Sequence, residues 1–393
     1  MNIPLIDLKA QYKSIAEDLD RVTKDVLSSA GYIMGKNITE FEREFAEYIG
    51  VKHAISVGNG TDALVIALKS LGIGNGDEVI TTPFTFFATA EAISAVGATP
   101  VFVDVEKDTF NINPTKIEEK ITNKTKAIMP VHIFGQSAMM DEINEIAKKH
   151  DLKVIEDACQ AVGGKYKGRN IGTLGDVACF SFFPTKNLGC AGDGGMIVTS
   201  DDNIATIARA LRTHGSGENG QKAYNLLNNI EEEVKTVNNA DDTVYNPLKY
   251  YNYLIGFNTR LDSIQGAILR VKLPHLDKWN EKRRQIAKIY DEKLRDTALV
   301  TPTIKNENEP VYHMYILQSE DREAILNKLK EKGIATGVYY PVPLHLQKVY
   351  KDLGYKEGDM PISEYLSHRT FAIPVYPELT ETDVNYIIES IKE

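Results

Sequence analysis

The chain of 393 residues contains only three cysteines, Cys159, Cys179 and Cys190. Their number is odd and their spacing matches no metal motif. A disulfide framework and a cysteine-built metal centre are therefore both excluded, and the three read as reduced thiols of a cytoplasmic protein. Long apolar runs are also missing. Stretches such as Ala178–Phe183 fall far short of the ~20 residues that a membrane span requires. Met1–Lys9 has no apolar core of the secretory type and already carries Asp7, so it does not read as a signal peptide. Basic charge is scarce: Lys and Arg number 45 against 55 Asp and Glu, a net charge of −10. A diffuse negative field of this kind disfavours nucleic acid and anionic lipid as partners. No internal repeat or low-complexity tract is present. The remaining composition, 42% apolar and 25% charged, is that of an ordinary globular protein. At ~100–200 residues per domain, it predicts two or three units.

Ile15, Leu19, Val22 and Val26 recur at helical spacing, which predicts an N-terminal helix. Gly31 interrupts it. A second helix is expected, capped at Thr39 and carrying Phe41, Phe45 and Tyr48 on one face. From His53 the pattern alternates. Strands are expected at His53–Val57, Glu78–Thr82, Pro100–Asp104, Ala127–Val131, Lys153–Glu156, Ala178–Phe182 and Met196–Thr199. Helices are expected between several of them, at Ala63–Leu71, Thr89–Val96, Thr115–Ile121 and Asp141–His150. Such alternation predicts an α/β fold with a mostly parallel sheet of seven strands, flanked by helices. A helix at Asn203–Thr213 precedes a long polar stretch from Gly215 to about Tyr250. A kinked helix is expected over Leu261–Asp291, interrupted by Pro274. Beyond Val300 the pattern shortens to a smaller C-terminal α+β unit: a strand at Val311–Leu317, a helix at Arg322–Lys332, a strand at Thr336–Tyr340 and a closing helix at Glu381–Lys392. The expected division is a large unit over 1–270, with an N-terminal helical arm, and a small unit over 271–393.

Chemistry concentrates in residues 154–199. One strand ends on Asp157. Another carries Ser181 and runs into Pro184-Thr185-Lys186. Ligands of open α/β sheets sit beyond the carboxyl ends of parallel strands, so Asp157, Ser181 and Lys186 are expected around one crevice. Glycines crowd the next loop at Gly189, Gly192, Gly194 and Gly195, where close backbone approach is possible. Pyridoxal 5′-phosphate (PLP) explains this set together. Its aldehyde condenses with a lysine. Its pyridine nitrogen needs a carboxylate, and its phosphate needs hydroxyls and helix N-terminal amides. Read alone, the same residues also fit a surface lysine, a capping aspartate and a turn serine. Ser56–Leu71 adds a strand–Gly58-Asn59-Gly60–helix passage of the anion-binding type, richer in glycine than a simple cap at Thr61 needs. Thr82–Thr89 offers Phe86 after a strand end. That ring either stacks on a planar ligand or joins the core.

Taken together, the motifs resemble the DegT/StrS-type sugar aminotransferases, which are fold-type I PLP enzymes. The resemblance runs from about Ile3 to Ile391. It rests on GYIMGKNITEFEREFA (Gly31–Ala46), VGNGTDALVIAL (Val57–Leu68), GDEVITTPFTFFATAEAI (Gly76–Ile93), EDACQAVGG (Glu156–Gly164), FSFFPTKNLGCAGDGG (Phe180–Gly195), GFNTRLDSIQGAIL (Gly256–Leu269) and YYPVPLH (Tyr339–His345). Seven motifs in one order make a chance match very improbable.

The resemblance implies roles position by position. Lys186 matches the lysine that carries the cofactor and shuttles protons, and Asp157 the pyridinium partner. Gln160 matches the residue bonded to the ring O3′, and Phe86 the stacking aromatic. Gly60, Thr61, Asp62 and Ser181 match the phosphate cup. Asn258 matches an asparagine reaching the phosphate from a neighbouring subunit, which implies an active homodimer. His132, His313, Tyr340 and His345 lie in stretches flanking the family's substrate pocket. No metal is implied. The implied reaction moves an amino group from L-glutamate to a nucleotide-linked keto-sugar, a dTDP- or UDP-linked 3-keto- or 4-keto-6-deoxyhexose, through pyridoxamine 5′-phosphate (PMP). A dehydratase subgroup carries histidine where this chain has Lys186, which favours transamination. The alternatives are PLP-dependent dehydration or decarboxylation, or a non-enzymatic regulator on the same scaffold. The absence of a helix-turn-helix or basic patch argues against direct DNA binding. The segment Gly215–Ile255 looks longer than the family's usual loop.

Overall fold

The computed structural model describes residues 1–234 and 250–393. Three helices open the chain: α1 (Leu8–Ser14), α2 (Ala16–Ser29) and α3 (Lys36–Ile49). The third begins one turn before the expected cap. Gly35, at φ +82°, ends the preceding turn, and Thr39 lies inside the helix with its hydroxyl donating to the Gly35 carbonyl at 3.2 Å.

The main sheet is built from β1 (His53–Val57), β2 (Glu78–Thr81), β3 (Thr99–Phe102), β4 (Thr125–Ile128) and β5 (Lys153–Asp157). A small hairpin, β6 (Lys165–Tyr166) and β7 (Arg169–Asn170), precedes its last strands, β8 (Val177–Ser181) and β9 (Gly195–Thr199). The seven strands lie in the order β1-β9-β8-β5-β4-β2-β3. The pairings β8/β5, β5/β4, β4/β2 and β2/β3 are parallel, whereas β9 runs antiparallel to both neighbours. Helices α4 (Gly60–Ser70), α5 (Ala88–Ala95), α6 (Met140–Lys149) and α7 (Asp202–Arg212) connect and cover the strands. The strands are buried on both faces, as the continuous apolar runs predict.

On one face, α3 packs its aromatic side onto β8. Phe45 is fully buried and meets Phe180 and Phe182 edge-on, with centroids 5.3 and 5.4 Å apart. This contact anchors the strand that leads to Lys186. Phe45→Ala should therefore cost about 3–5 kcal/mol of stability. Urea denaturation would reveal it as a lowered midpoint with an unchanged slope.

The long polar stretch is not all loop. Helix α8 (Gly217–Asn228) folds within it because Ala223 is fully buried with the helices behind β1. The remainder of the stretch expected to be expanded, residues 235–249, lies outside the described residues. The kinked helix resolves into α9 (Ser263–Lys272), a 3₁₀ turn at Leu273–His275 carrying Pro274, and α10 (Leu276–Leu294). The second unit follows, with β10 (Asn308–Glu309), β11 (Tyr315–Gln318), α11 (Arg322–Glu331), α12 (Pro361–Arg369), β12 (Thr370–Ile373) and α13 (Glu381–Lys392).

Three local expectations change. The helix expected at Thr115–Ile121 is two 3₁₀ turns, Pro114–Lys116 and Glu118–Lys120. The strand expected from Val311 starts at Tyr315, because Tyr312 takes φ +43° and breaks the extended run. Residues Thr336–Tyr340 form no strand. Their β-branched and aromatic composition is overridden by tertiary contacts, with Tyr340 packed on Phe84 and Phe134. Leu276 belongs to the core under the sheet, while Ile286, Tyr290 and Leu294 of the same helix belong to the second core together with Ile3. Helix α10 thus serves both units, and the first residues of the chain pack with the last. Among the described residues, no helix is long and apolar enough to cross a membrane.

Candidate active site

Strand β5 ends on Asp157, and parallel pairing sets Asp157 beside Cys179 of β8. Two residues beyond Cys179 the strand ends on Ser181, and the chain turns. The Lys186 N–H donates to the Phe183 carbonyl at 2.8 Å. Gly189 closes this turn where a Cβ would lie 2.3 Å from the Pro184 carbonyl oxygen, so only glycine fits there. As a result Lys186 and Asp157 line one cavity of ≈ 650 Å³, within the size range of small-molecule sites.

Asp157 is nearly buried, at 4% exposure. The Thr89 hydroxyl donates to its Oδ2 at 2.7 Å, and the Cys159 N–H to Oδ1 at 3.2 Å. Both carboxylate oxygens are thereby fixed in orientation. Thr89 was not expected. Its only sequence signal is a hydroxyl at the start of the helix after β2, in the stretch singled out for Phe86. The Lys186 amine is desolvated by the surrounding protein, which holds its pKa below the usual lysine value, while Cys159 and Asp157 act in the opposite sense. Its Nζ lies 3.5 Å from Nε2 of His313. Burial, with Lys186 and Arg283 nearby, pushes the His313 imidazole well below its ordinary range, so this ring is neutral.

The other end of the cavity is the N-terminus of α4. The Asn59 side chain caps it by accepting from the Asp62 N–H at 2.8 Å. Gly60 lets the helix end approach β8 closely, since a Cβ there would meet Ser181 Cβ at 2.8 Å; a Cβ on Gly195 would meet the Asn59 carbonyl oxygen at 2.3 Å. Thr61 and Ser181 also line the cavity here. A helix N-terminus with hydroxyls beside it is an anion site. Asp62 has a part in the helix cap as well. Its N–H is held by Asn59, and its carboxylate accepts from Asn59 Nδ2 at 2.9 Å and from the Thr259 hydroxyl. Asp62 lines the cavity and also locks the helix cap. Thr259, also unforeseen, accepts from the Gly58 N–H at 3.0 Å.

Phe86 lines the cavity and is 60% exposed, as befits a ring offered to a planar ligand. Gln160 is oriented at both ends: its Oε1 accepts from the Phe134 N–H at 2.8 Å, and its Nε2 donates to the Tyr340 hydroxyl at 2.9 Å. Tyr340 and His313 both line the cavity. His132 and His345 do not. His132 is fully buried, with Nε2 3.0 Å from Glu156 and Nδ1 accepting from the Ala138 N–H. His345, at 1% exposure, lies against Glu364 at 3.0 Å. Asn258 is exposed, bridges Thr213 through its backbone and does not line the cavity within its own chain.

A lysine and a fixed carboxylate facing one cavity, with an anion site at its far end, define a cofactor pocket. The model of the DegT/DnrJ/EryC1/StrS aminotransferase family matches residues 13–392. The chain belongs to this family. Members of the family are PLP-dependent sugar aminotransferases. The chain is 46% identical to the pleiotropic regulatory protein of Geobacillus stearothermophilus, over 100% of this chain and 98% of that one. It is 40% identical to the dTDP-3-amino-3,6-dideoxy-α-D-galactopyranose transaminase of Aneurinibacillus thermoaerophilus, over 99% and 98%. It is 39% identical to the UDP-N-acetyl-3-dehydro-α-D-glucosamine 3-aminotransferase of Acidithiobacillus ferrooxidans, over 99% and 97%. Among solved structures it resembles S. venezuelae DesV in complex with a ketimine intermediate, with a TM-score of 0.90 at 37% identity, covering 100% of this chain and 98% of that one.

Proposed function

We propose that this DegT/DnrJ/EryC1/StrS-family chain transfers an amino group from L-glutamate to the C3 keto group of a nucleotide-linked sugar, in the cytoplasm, using PLP. The observation that carries this reading is the shared cavity of Lys186 and Asp157, closed at its far end by the N-terminus of α4. Two relatives named for 3-amino sugars, one dTDP-linked and one UDP-linked, favour C3. L-Glutamate follows from the family resemblance.

The residues present fit the cofactor. Gly60 and Gly195 let the N-terminus of α4 pack closely against β8 and β9, which sets Thr61, Ser181 and the first amides of α4 at one end of the cavity, where a phosphate would be held. When bound, PLP supplies an electrophilic aldehyde and a ring that accepts electrons. Lys186 would hold it. Desolvation lowers the Lys186 pKa and so favours the neutral amine, the form that both nucleophile and base require. The neutral imidazole of His313 lies 3.5 Å from that amine through Nε2 and steadies it. Asp157, fixed by Thr89 and the Cys159 N–H, sets its negative charge where a ring nitrogen would carry a proton. Gln160, held from both sides, presents a polar edge to the ring, and Phe86 covers one face.

The depressed Lys186 pKa has a measurable sign. Capture of PLP by the apoenzyme needs the neutral amine. Its rate should rise with pH and level off below the ~10.4 of a free lysine. A plateau reached only at or above that value contradicts the account of the lysine's surroundings.

An active homodimer is part of this proposal. Asn258 is exposed one residue before Thr259, which touches the cap of α4, so it can serve a neighbouring subunit's phosphate site. Light scattering should give about twice the chain mass. A second reading, a regulator without turnover, is favoured by the name of one relative. The deciding experiment is incubation with L-glutamate and a dTDP- or UDP-linked 3-keto sugar. The proposal expects 2-oxoglutarate and the amino sugar in equal amounts; neither product forms on the regulatory reading.

A further inference from the structure

Two buried asparagines stand behind the turn that carries Lys186, and neither lines the cavity. Asn187 follows the lysine in the chain, and Asn280 belongs to α10. Asn187 Nδ2 donates to Asn280 Oδ1 at 2.8 Å and to the Val311 carbonyl at 2.9 Å, and Asn280 Nδ2 donates to the Val162 carbonyl at 3.1 Å. Each amide is thus oriented by a backbone carbonyl, which can only accept. The fit is close. Gly163, at φ +81°, stands where a Cβ would lie 2.6 Å from Asn280 Nδ2.

Val311 stands two residues before His313, whose Nε2 lies 3.5 Å from the Lys186 amine. The segment between them is held from both sides. The Val311 N–H donates to the Gly135 carbonyl at 2.9 Å, and the Tyr312 carbonyl accepts from Arg283 Nη1 at 3.1 Å. Arg283 follows Asn280 by three positions on α10, so the two share one face of that helix. One turn of α10 therefore holds both members of the Lys186–His313 contact: the lysine turn through Asn280 and Asn187, the histidine segment through Arg283. The bond from Asn187 to Val311 joins the two directly.

Packing alone does not call for this arrangement. Asn187 Oδ1 is buried and has no hydrogen-bond partner among the described residues, and an unmet buried acceptor is destabilising. An apolar side chain would escape that penalty but would bond to neither partner. What the amide contributes is direction, because its two N–H groups fix the turn against α10 and Val311 at once.

We propose that Asn187 is a positioning residue: with Asn280 it holds the Lys186 turn against Val311 and so sets the 3.5 Å spacing between the Lys186 amine and His313. Its consequence for turnover rests on the proposed function; the positioning itself does not.

The test reads the Lys186 amine in the full-length apoprotein, without turnover. Trace acetic anhydride is added across a pH series, and acetylation of the Lys186 peptide is followed by mass spectrometry. Only the neutral amine reacts. Burial holds this amine below the usual lysine range in the wild type. In Asn187→Leu the turn is released and water reaches the amine, so the labelling midpoint should move up, toward the ~10.4 of a free lysine. In a His313→Gln background the same substitution should move it less, since both changes act on one contact. Asn280→Ala, one bond farther from the lysine, should shift the midpoint in the same direction and decides the matter if Asn187→Leu does not fold. An unchanged labelling midpoint with a lowered thermal midpoint would show a part in stability alone and overturn the proposal, as would equal shifts in both backgrounds. In the holoenzyme, Asn187→Leu should lower kcat by up to ~10²-fold, the loss that a displacement of about 1 Å can cause. If the labelling midpoint shifts while the wild type fails to transaminate, the positioning stands and the proposed function falls.

Discussion

Lys186→Ala should remove covalent retention of PLP and lower transamination by at least ~10⁴-fold, since nucleophile and general base are lost together. The effect is large because the cavity offers no replacement. Among the described lining residues Lys186 is the one lysine, and His313, 3.5 Å from its amine, is neutral. The visible absorbance of the bound cofactor should disappear, while far-ultraviolet circular dichroism stays unchanged. A variant with near-normal turnover would show that another group does the chemistry. Partial rescue by a small alkylamine is expected, because the amine's place is defined by the surrounding turn.

Asp157→Asn should retain PLP and lose on the order of 10²–10³ in kcat, the size expected when one preorganised electrostatic partner is removed. The asparagine Oδ1 can still accept from the Cys159 N–H while its Nδ2 donates to the Thr89 hydroxyl, so the fold around β5 is preserved. What disappears is the negative charge. Thr89→Val should act more weakly in the same direction, because the carboxylate remains but loses one of its two anchors. Equal losses for both variants would mean that orientation, not charge, is the contribution of Asp157.

Much of this site was legible before any coordinates. Asp157 and Lys186 stand at the ends of strands whose apolar runs are easily read, and strand ends in open α/β sheets point to one crevice. The glycines were legible because only close approach explains their density. Thr89 and Thr259 were not. Each acts through a contact with a residue distant in the chain, 68 and 197 positions away, and a threonine carries no periodic signal. That His132 and His345 lie outside the cavity was hidden for the opposite reason. A histidine beside a motif looks available, but sequence does not reveal that Glu156 and Glu364 already hold them. Helix α8 was read as loop because its buried face is built from Gln221, Ala223 and Asn225, which give almost no apolar periodicity. Asp62, expected through its backbone at the phosphate cup, also closes the helix cap through bonds that sequence does not reveal.

The central claim is that Lys186 holds the cofactor. Borohydride reduction of the holoenzyme, followed by digestion and mass spectrometry of the labelled peptide, tests it most directly. The account predicts a phosphopyridoxyl label on Lys186 in stoichiometric amount. A label on any other lysine, or none, contradicts it.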